Sequence, residues 1–195
     1  MYFPAERELR AERARFMATV ESLTDAEFES GPTLCAGWAP RDVLAHLIST
    51  DQPGRYVRNG LRIDATNADV VREARGLSRT ALTEAGSAWA ADPSTIARVS
   101  AGFLLGDVAV HHQDVLRALG RPRDVPAPVA AAIFREGVIL SAALNRRLLR
   151  NRVAPTTPGG RPLGRGPEVR GTAEALGMWL AGRDAVADEL SFAAV

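Results

Sequence analysis

Residues 106–120 read GDVAVHHQDVLRALG and hold two of the three histidines in the chain. Asp107 and His111 are four residues apart, and Asp114 follows three later. On a helix these three positions lie along one face. A carboxylate and an imidazole one turn apart are able to share a divalent cation. The third histidine, His46, lies in RDVLAHLIST, residues 41–50, beside an apolar stripe of Val43, Leu44, Leu47 and Ile48. A histidine buried on such a stretch needs a polar partner. His46, Asp107 and His111 are therefore the candidate metal ligands, with His112 left over.

Working outward, the pattern is helical almost throughout. Pro4 and Glu6 suit a first turn, and Leu9, Phe16, Val20 and Leu23 repeat at helical spacing, which predicts a helix over 4–23. Residues 24–27 resemble a cap for a short turn, and Gly31-Pro32 and Gly37 mark a loop over 29–37. Pro40 fits the first helical position and Asp42 the third, opening a helix that reaches about Thr50. A second short piece is expected over 56–61, then a loop with cap residues over 64–67. Apolar residues from Val70 to Trp89 predict one long amphipathic helix, weakened at Gly76 and Gly86.

Asp92-Pro93-Ser94 breaks the chain. Residues 96–119 read as largely helical, with soft spots at Gly102 and Gly106, and Gly120-Arg121-Pro122 stops them. A helix over 128–150 should turn Val129, Ile133, Val138, Leu144 and Leu148 inward. The Pro- and Gly-rich residues 154–167 suggest an irregular loop or small hairpin. Thr172 caps a last helix that packs Ala175, Leu176, Trp179 and Leu180 and ends at Gly182. With little strand signal, the expectation is an all-α helical bundle, whose metal sites are built from facing helices pointing inward.

Composition narrows the function classes. At 195 residues, 46% hydrophobic and 24% charged, the chain suits one folded domain, or one with a small appendage. A net charge of +1 and no basic run interleaved with aromatics argue against nucleic acid as a partner. The single cysteine, Cys35, allows no internal disulfide and fits a reducing compartment. No stretch reads as a signal peptide or membrane span, so a cytoplasmic protein with no membrane partner is expected. All 24 basic residues are arginine, a bias that suggests a GC-rich source.

Three segments, in order, resemble the mycothiol-dependent maleylpyruvate isomerase family, part of the DinB-like group of metal-binding four-helix bundles. They are Cys35-Ala36-Gly37-Trp38 leading into Arg41-Asp42-Val43-Leu44-Ala45-His46-Leu47; then Asp107, His111 and Asp114 running into Arg117-Ala118-Leu119-Gly120-Arg121-Pro122; then Gly166-Pro167-Glu168-Val169-Arg170-Gly171 to Trp179-Leu180-Ala181-Gly182-Arg183. The resemblance implies a DinB-like bundle over 1–153 and a short C-terminal extension over 154–195. It also implies zinc, or another divalent metal, held by His46, Asp107 and His111. Asp107 stands where the family pattern has Glu. Family members use mycothiol, a low-molecular-weight thiol of actinobacteria, as cosubstrate.

Three protein ligands and an open position are the catalytic arrangement for zinc, and a bound thiol would become a nucleophile near neutral pH. The expected function is a metal-dependent thiol enzyme, an isomerase or S-transferase, with a small-molecule thiol and an electrophile as partners. The alternative is a non-catalytic metal- or ligand-binding bundle, and a third reading is a helical interaction protein without metal. Asp114 either orients a ligand imidazole or pairs with Arg117. Asp107 either ligates or caps the helix restart after Gly106. Arg183 is a candidate for binding a substrate carboxylate. His112 is a candidate substrate contact, and Cys35 a nucleophile, fourth ligand or inert thiol. Trp38 and Trp179 are expected to pack. Only some 40 residues follow the bundle, too few for a further independent domain, which favours the broad thiol class over isomerase activity. The protein is expected to be a monomer or homodimer.

Overall fold

The computed structural model describes residues 3–193 apart from 61, 122, 123 and 158, together with all of those side chains except that of residue 144. The predicted roles of Leu61, Pro122 and Leu144 lie outside the described residues. The chain divides into two compact units, Met1–Leu104 with His111–Pro122, and Leu105–Val110 with Arg123–Val195.

In the first unit α1 (Glu6–Ser22) packs on α6 (Arg79–Ala91), and α3 (Pro40–Ser49) packs on α5 (Ile63–Ala74) and α6. The short α2 (Asp25–Ser30) lies against α3, and α4 (Pro53–Arg58) against α5. Leu9, Phe16, Val20, Val43, Leu44, Leu47 and Trp89 form the core. Gly86 has a packing reason. A Cβ there would come within 2.8 Å of Met17 Sδ and 2.9 Å of Leu44 Cδ1, so the absent side chain lets three helices meet.

The predicted long helix over 70–89 is two helices. α5 ends at Ala74, and α6 begins at Arg79 after Ser78, whose hydroxyl accepts the Ala81 N–H. Gly76 and a serine cap outweigh the continuous apolar periodicity. Conversely, residues 64–67, expected as a loop, belong to α5. Thr66 and Asn67 are tied to Arg62 O and the Tyr56 hydroxyl, so their cap-forming side chains are satisfied within a helix. The predicted helix over 96–119 breaks at Ser100 into α7 (Thr95–Val99) and α8 (Ala101–Ala118). α8 is continuous through Gly106 and contributes to both units.

In the second unit α9 (Ala127–Leu140) crosses α11 (Ala173–Leu180) at backbone distance. A Cβ on Gly137 would lie 2.2 Å from Gly177 O, and one on Gly177 would lie 2.5 Å from Ile133 O. The predicted helix over 128–150 is interrupted. A π-turn at Ser141–Asn145 leads through Arg146, at φ 58°, to α10 (Arg147–Arg150). Ser141 Oγ and Asn145 Oδ1 accept the N–H groups of Leu148 and Arg147, replacing helical carbonyl acceptors.

The all-α expectation is corrected here. β1 (Arg152–Pro155), β2 (Leu163–Gly164), β3 (Glu168–Gly171) and β4 (Ser191–Phe192) form a sheet in the order β2-β1-β3-β4. β1 pairs antiparallel with β2, the small hairpin expected, and parallel with β3, with Val153 opposite Val169. Strands of two to four residues are too short to show an alternating pattern. The fold is helix-dominated with a small mixed sheet, rather than four helices alone. Among the described residues no helix is long and apolar enough to cross a membrane.

Candidate metal centre

α3 is opened as its sequence predicts. Pro40 stands in the first turn, and Asp42 accepts the Ala39 N–H at 3.0 Å. Arg75 binds the same carboxylate at 2.8 and 3.1 Å, and that hydrogen bond, with the Asp42 charge, holds the guanidinium above its ordinary value. This fixes the turn that precedes His46, a residue 7% exposed. Asp107 and His111 lie one turn apart on α8. The ligand atoms of His46, Asp107 and His111 all lie within 4.8 Å of one another, and the His46 and His111 rings meet edge-on at 4.8 Å between centroids. Two imidazoles and one carboxylate, half-buried or better, are a donor set that suits zinc, with bonds of about 2.0–2.2 Å.

Asp114 is fully buried, and its Oδ2 lies 3.0 Å from His111 Nδ1. With the carboxylate ionised, Nδ1–H donates and Nε2 is the nitrogen presented to a metal. That is the arrangement in which Asp114 orients a ligand imidazole. Trp38, expected to pack, covers the pair of rings. It stacks on His111 at 6.1 Å and 25°, and lies 5.3 Å from His46.

Cys35 is the residue whose place the sequence did not reveal. Its Sγ–H donates to Asp114 Oδ2 at 3.0 Å, and Sγ lies 3.4 Å from His111 Nδ1. Cys35, His111 and Asp114 form a second group whose ligand atoms converge within 4.8 Å. Backbone bonding carries the loop there: Leu34 N–H donates to Asp114 O, and the Thr33 hydroxyl accepts the Cys35 N–H and reaches the Trp38 carbonyl. The only local signal was the Cys35-Ala36-Gly37-Trp38 segment in the resemblance.

His112 is 1% exposed, with Nδ1 2.8 Å from Glu12 Oε1 and Nε2 2.8 Å from Thr19 Oγ1, so both nitrogens are engaged by α1 rather than turned toward a substrate. Arg183 follows α11 in the second unit and donates to Ala181 O at 2.7 Å. Trp179 packs, as expected, between the Arg147 guanidinium and Phe192.

A family model for the mycothiol maleylpyruvate isomerase N-terminal domain matches residues 9–116, more than half of the chain. The chain belongs to the mycothiol-dependent maleylpyruvate isomerase family. Two solved structures share its fold, crystal structures of the mycothiol-dependent maleylpyruvate isomerase and of a histidine-to-alanine mutant of it. Each is 14% identical, and each alignment covers 97% of this chain and 93% of the other, with TM-scores of 0.64 and 0.68. No curated protein matches the chain. The chain therefore spans nearly the full length of the two isomerase chains it matches.

Proposed function

We propose that this family member is a zinc-dependent enzyme that activates mycothiol for addition to a small electrophile, with His46, Asp107 and His111 as the metal ligands. The supporting observation is the convergence of those three donor groups, with a buried carboxylate, Asp114, on the far nitrogen of His111. Bound there, zinc supplies a Lewis acid that lowers the pKa of a coordinated thiol. Asp114 holds the His111 tautomer and ring plane. Trp38 packs against both imidazoles and so helps to hold their ring planes. The thiol sulfur adds to an activated double bond and rotation follows about the resulting single bond. Loss of the sulfur then restores the alkene as its other isomer. Retention of the adduct is S-transfer. Arg183 is assigned the substrate carboxylate, and the reaction is placed in the cytoplasm.

The test is metal content and thiol consumption together. Protein purified without chelator should carry stoichiometric zinc and consume thiol and electrophile only when loaded. Asp107→Asn keeps shape but removes the charge that offsets the dication, so zinc affinity should fall while the fold survives. Asp107→Glu should keep or raise zinc content. Unchanged zinc affinity in Asp107→Asn overturns the ligand assignment, since Asn caps a helix about as well as Asp. Stoichiometric zinc without turnover on any electrophile leaves a binding protein instead.

A further inference from the structure

His111 has two ring nitrogens, and the donors on its Nδ1 side form a group of their own within the first unit. Three different ligand atoms close a triangle there. Cys35 Sγ lies 3.4 Å from His111 Nδ1 and 3.0 Å from Asp114 Oδ2, and Nδ1 lies 3.0 Å from the same Oδ2. In a tetrahedral zinc site with one sulfur, one nitrogen and one oxygen, bonds of about 2.0–2.3 Å set these corners about 3.3–3.7 Å apart. The triangle needs to open by only about half an ångström to seat an ion of that size.

The charges also match. As a thiolate and a carboxylate, Cys35 and Asp114 supply two negative charges, and a neutral imidazole adds none. A dication therefore leaves the group without net charge, which suits a place where Asp114 is 0% exposed. The donors are held rather than loose. Leu34 N–H donates to Asp114 O, the Thr33 hydroxyl accepts the Cys35 N–H, and Trp38 stacks on the His111 ring. Cys35 itself is half-buried and lines a cavity of about 590 Å³, which gives an ion a way in.

A neutral imidazole has one nitrogen with a free lone pair. An ion on Nδ1 obliges Nε2 to carry the proton, so His111 then has no lone pair for an ion shared with His46 and Asp107. A thiolate in the donor set selects thiophilic ions.

We propose that Cys35, His111 Nδ1 and Asp114 form a second cation position, for a thiophilic divalent ion, and that filling it empties the His46–Asp107–His111 set. Binding there releases the Cys35 thiol proton to solvent and leaves the His111 proton on Nε2. The position stands on the Cys35 geometry; the exclusion rests on the zinc ligands proposed above.

Cadmium is the probe, because a cadmium–thiolate bond has an ultraviolet charge-transfer band that imidazole and carboxylate complexes lack. Cys35 is the sole cysteine, so the band reports this position. Chelator-stripped wild type should develop the band to saturation at one cadmium per chain, and Cys35→Ser should lose it. Asp114→Asn and His111→Gln should each weaken the titration about tenfold or more. His46→Ala should keep the band and its affinity, and Asp107→Asn repeats that arm if the first variant fails to fold. No band in wild type overturns the position. So does an affinity unchanged in folded Asp114→Asn or His111→Gln, which would mean a solitary thiol. A band lost in folded His46→Ala and Asp107→Asn would make Cys35 a fourth ligand of a single site and overturns it too. Zinc-loaded wild type should release its zinc in step with the growing band; a full band with zinc still bound overturns the exclusion. A full band on protein that never takes up zinc removes the zinc assignment and leaves the second position standing.

Discussion

His111 and His112 are adjacent in the chain and face different worlds. One residue along a helix turns the side chain by about 100°. That step carries His111 to Asp114, Cys35 and Trp38, and carries His112 into α1 between Glu12 and Thr19. Both imidazoles have a carboxylate on Nδ1, yet the second atom of each ring meets different company. His112 Nε2 is bonded to a hydroxyl within the core, whereas the His111 donor atom belongs to a convergent ligand set. A carboxylate–histidine pair is therefore not by itself a site. What the remaining nitrogen meets decides whether the pair braces the fold or serves chemistry.

The comparison is broken most forcefully on the His112 side. Glu12→Ala removes one partner of a fully buried pair and should cost about 3–5 kcal/mol of stability. Chemical denaturation should show a lower midpoint, while zinc stoichiometry of the folded protein stays unchanged. Loss of zinc with intact stability would reverse the roles assigned to the two faces of α8.

A smaller effect is expected on the other face. Asp114→Asn should weaken zinc by about 10- to 100-fold, the usual cost of losing a carboxylate behind a ligating histidine. Competition with a zinc chelator measures this. An unchanged affinity would show that Asp114 contributes to packing alone.

The smallest effect lies in the first turn of α2, ahead of the loop that carries Cys35 and Trp38. The Thr24 N–H, then the Thr24 hydroxyl and the Arg121 charge, hold the Glu27 carboxyl below its ordinary range. A depressed folded pKa means the contribution is complete above the unfolded value and is lost as pH falls through the folded one. Melting temperatures of wild type and Glu27→Gln should therefore differ at neutral pH and converge in acid. A gap that persists in acid would mean that Glu27 acts through packing rather than its charge.

Helix content was legible because 3.6-residue periodicity is local. The capping signals were equally local. Pro40 and Asp42 open α3, and Thr172 caps α11 by accepting the Ala175 N–H. The same locality put Asp107, His111 and Asp114 on one face of α8, and it separated His112 from them. The sheet, by contrast, exists only through pairing between Arg152–Pro155 and Glu168–Gly171, segments too short to show an alternating pattern. Gly86 reads as a weak point in sequence and proves to be a place where helices meet closely, a distinction set by neighbours far along the chain.

By itself the sequence determined that the chain is mainly helical, the caps that open α3 and α11 and the helix face that bears the candidate ligands, because each depends on residues within one or two turns. Only the tertiary structure brought Cys35 to Asp114, stacked Trp38 on His111 and closed Arg41 and Arg75 onto their acids. Those contacts join residues from 12 to 79 positions apart, and side-chain pairing over such separations is settled by packing rather than by local pattern.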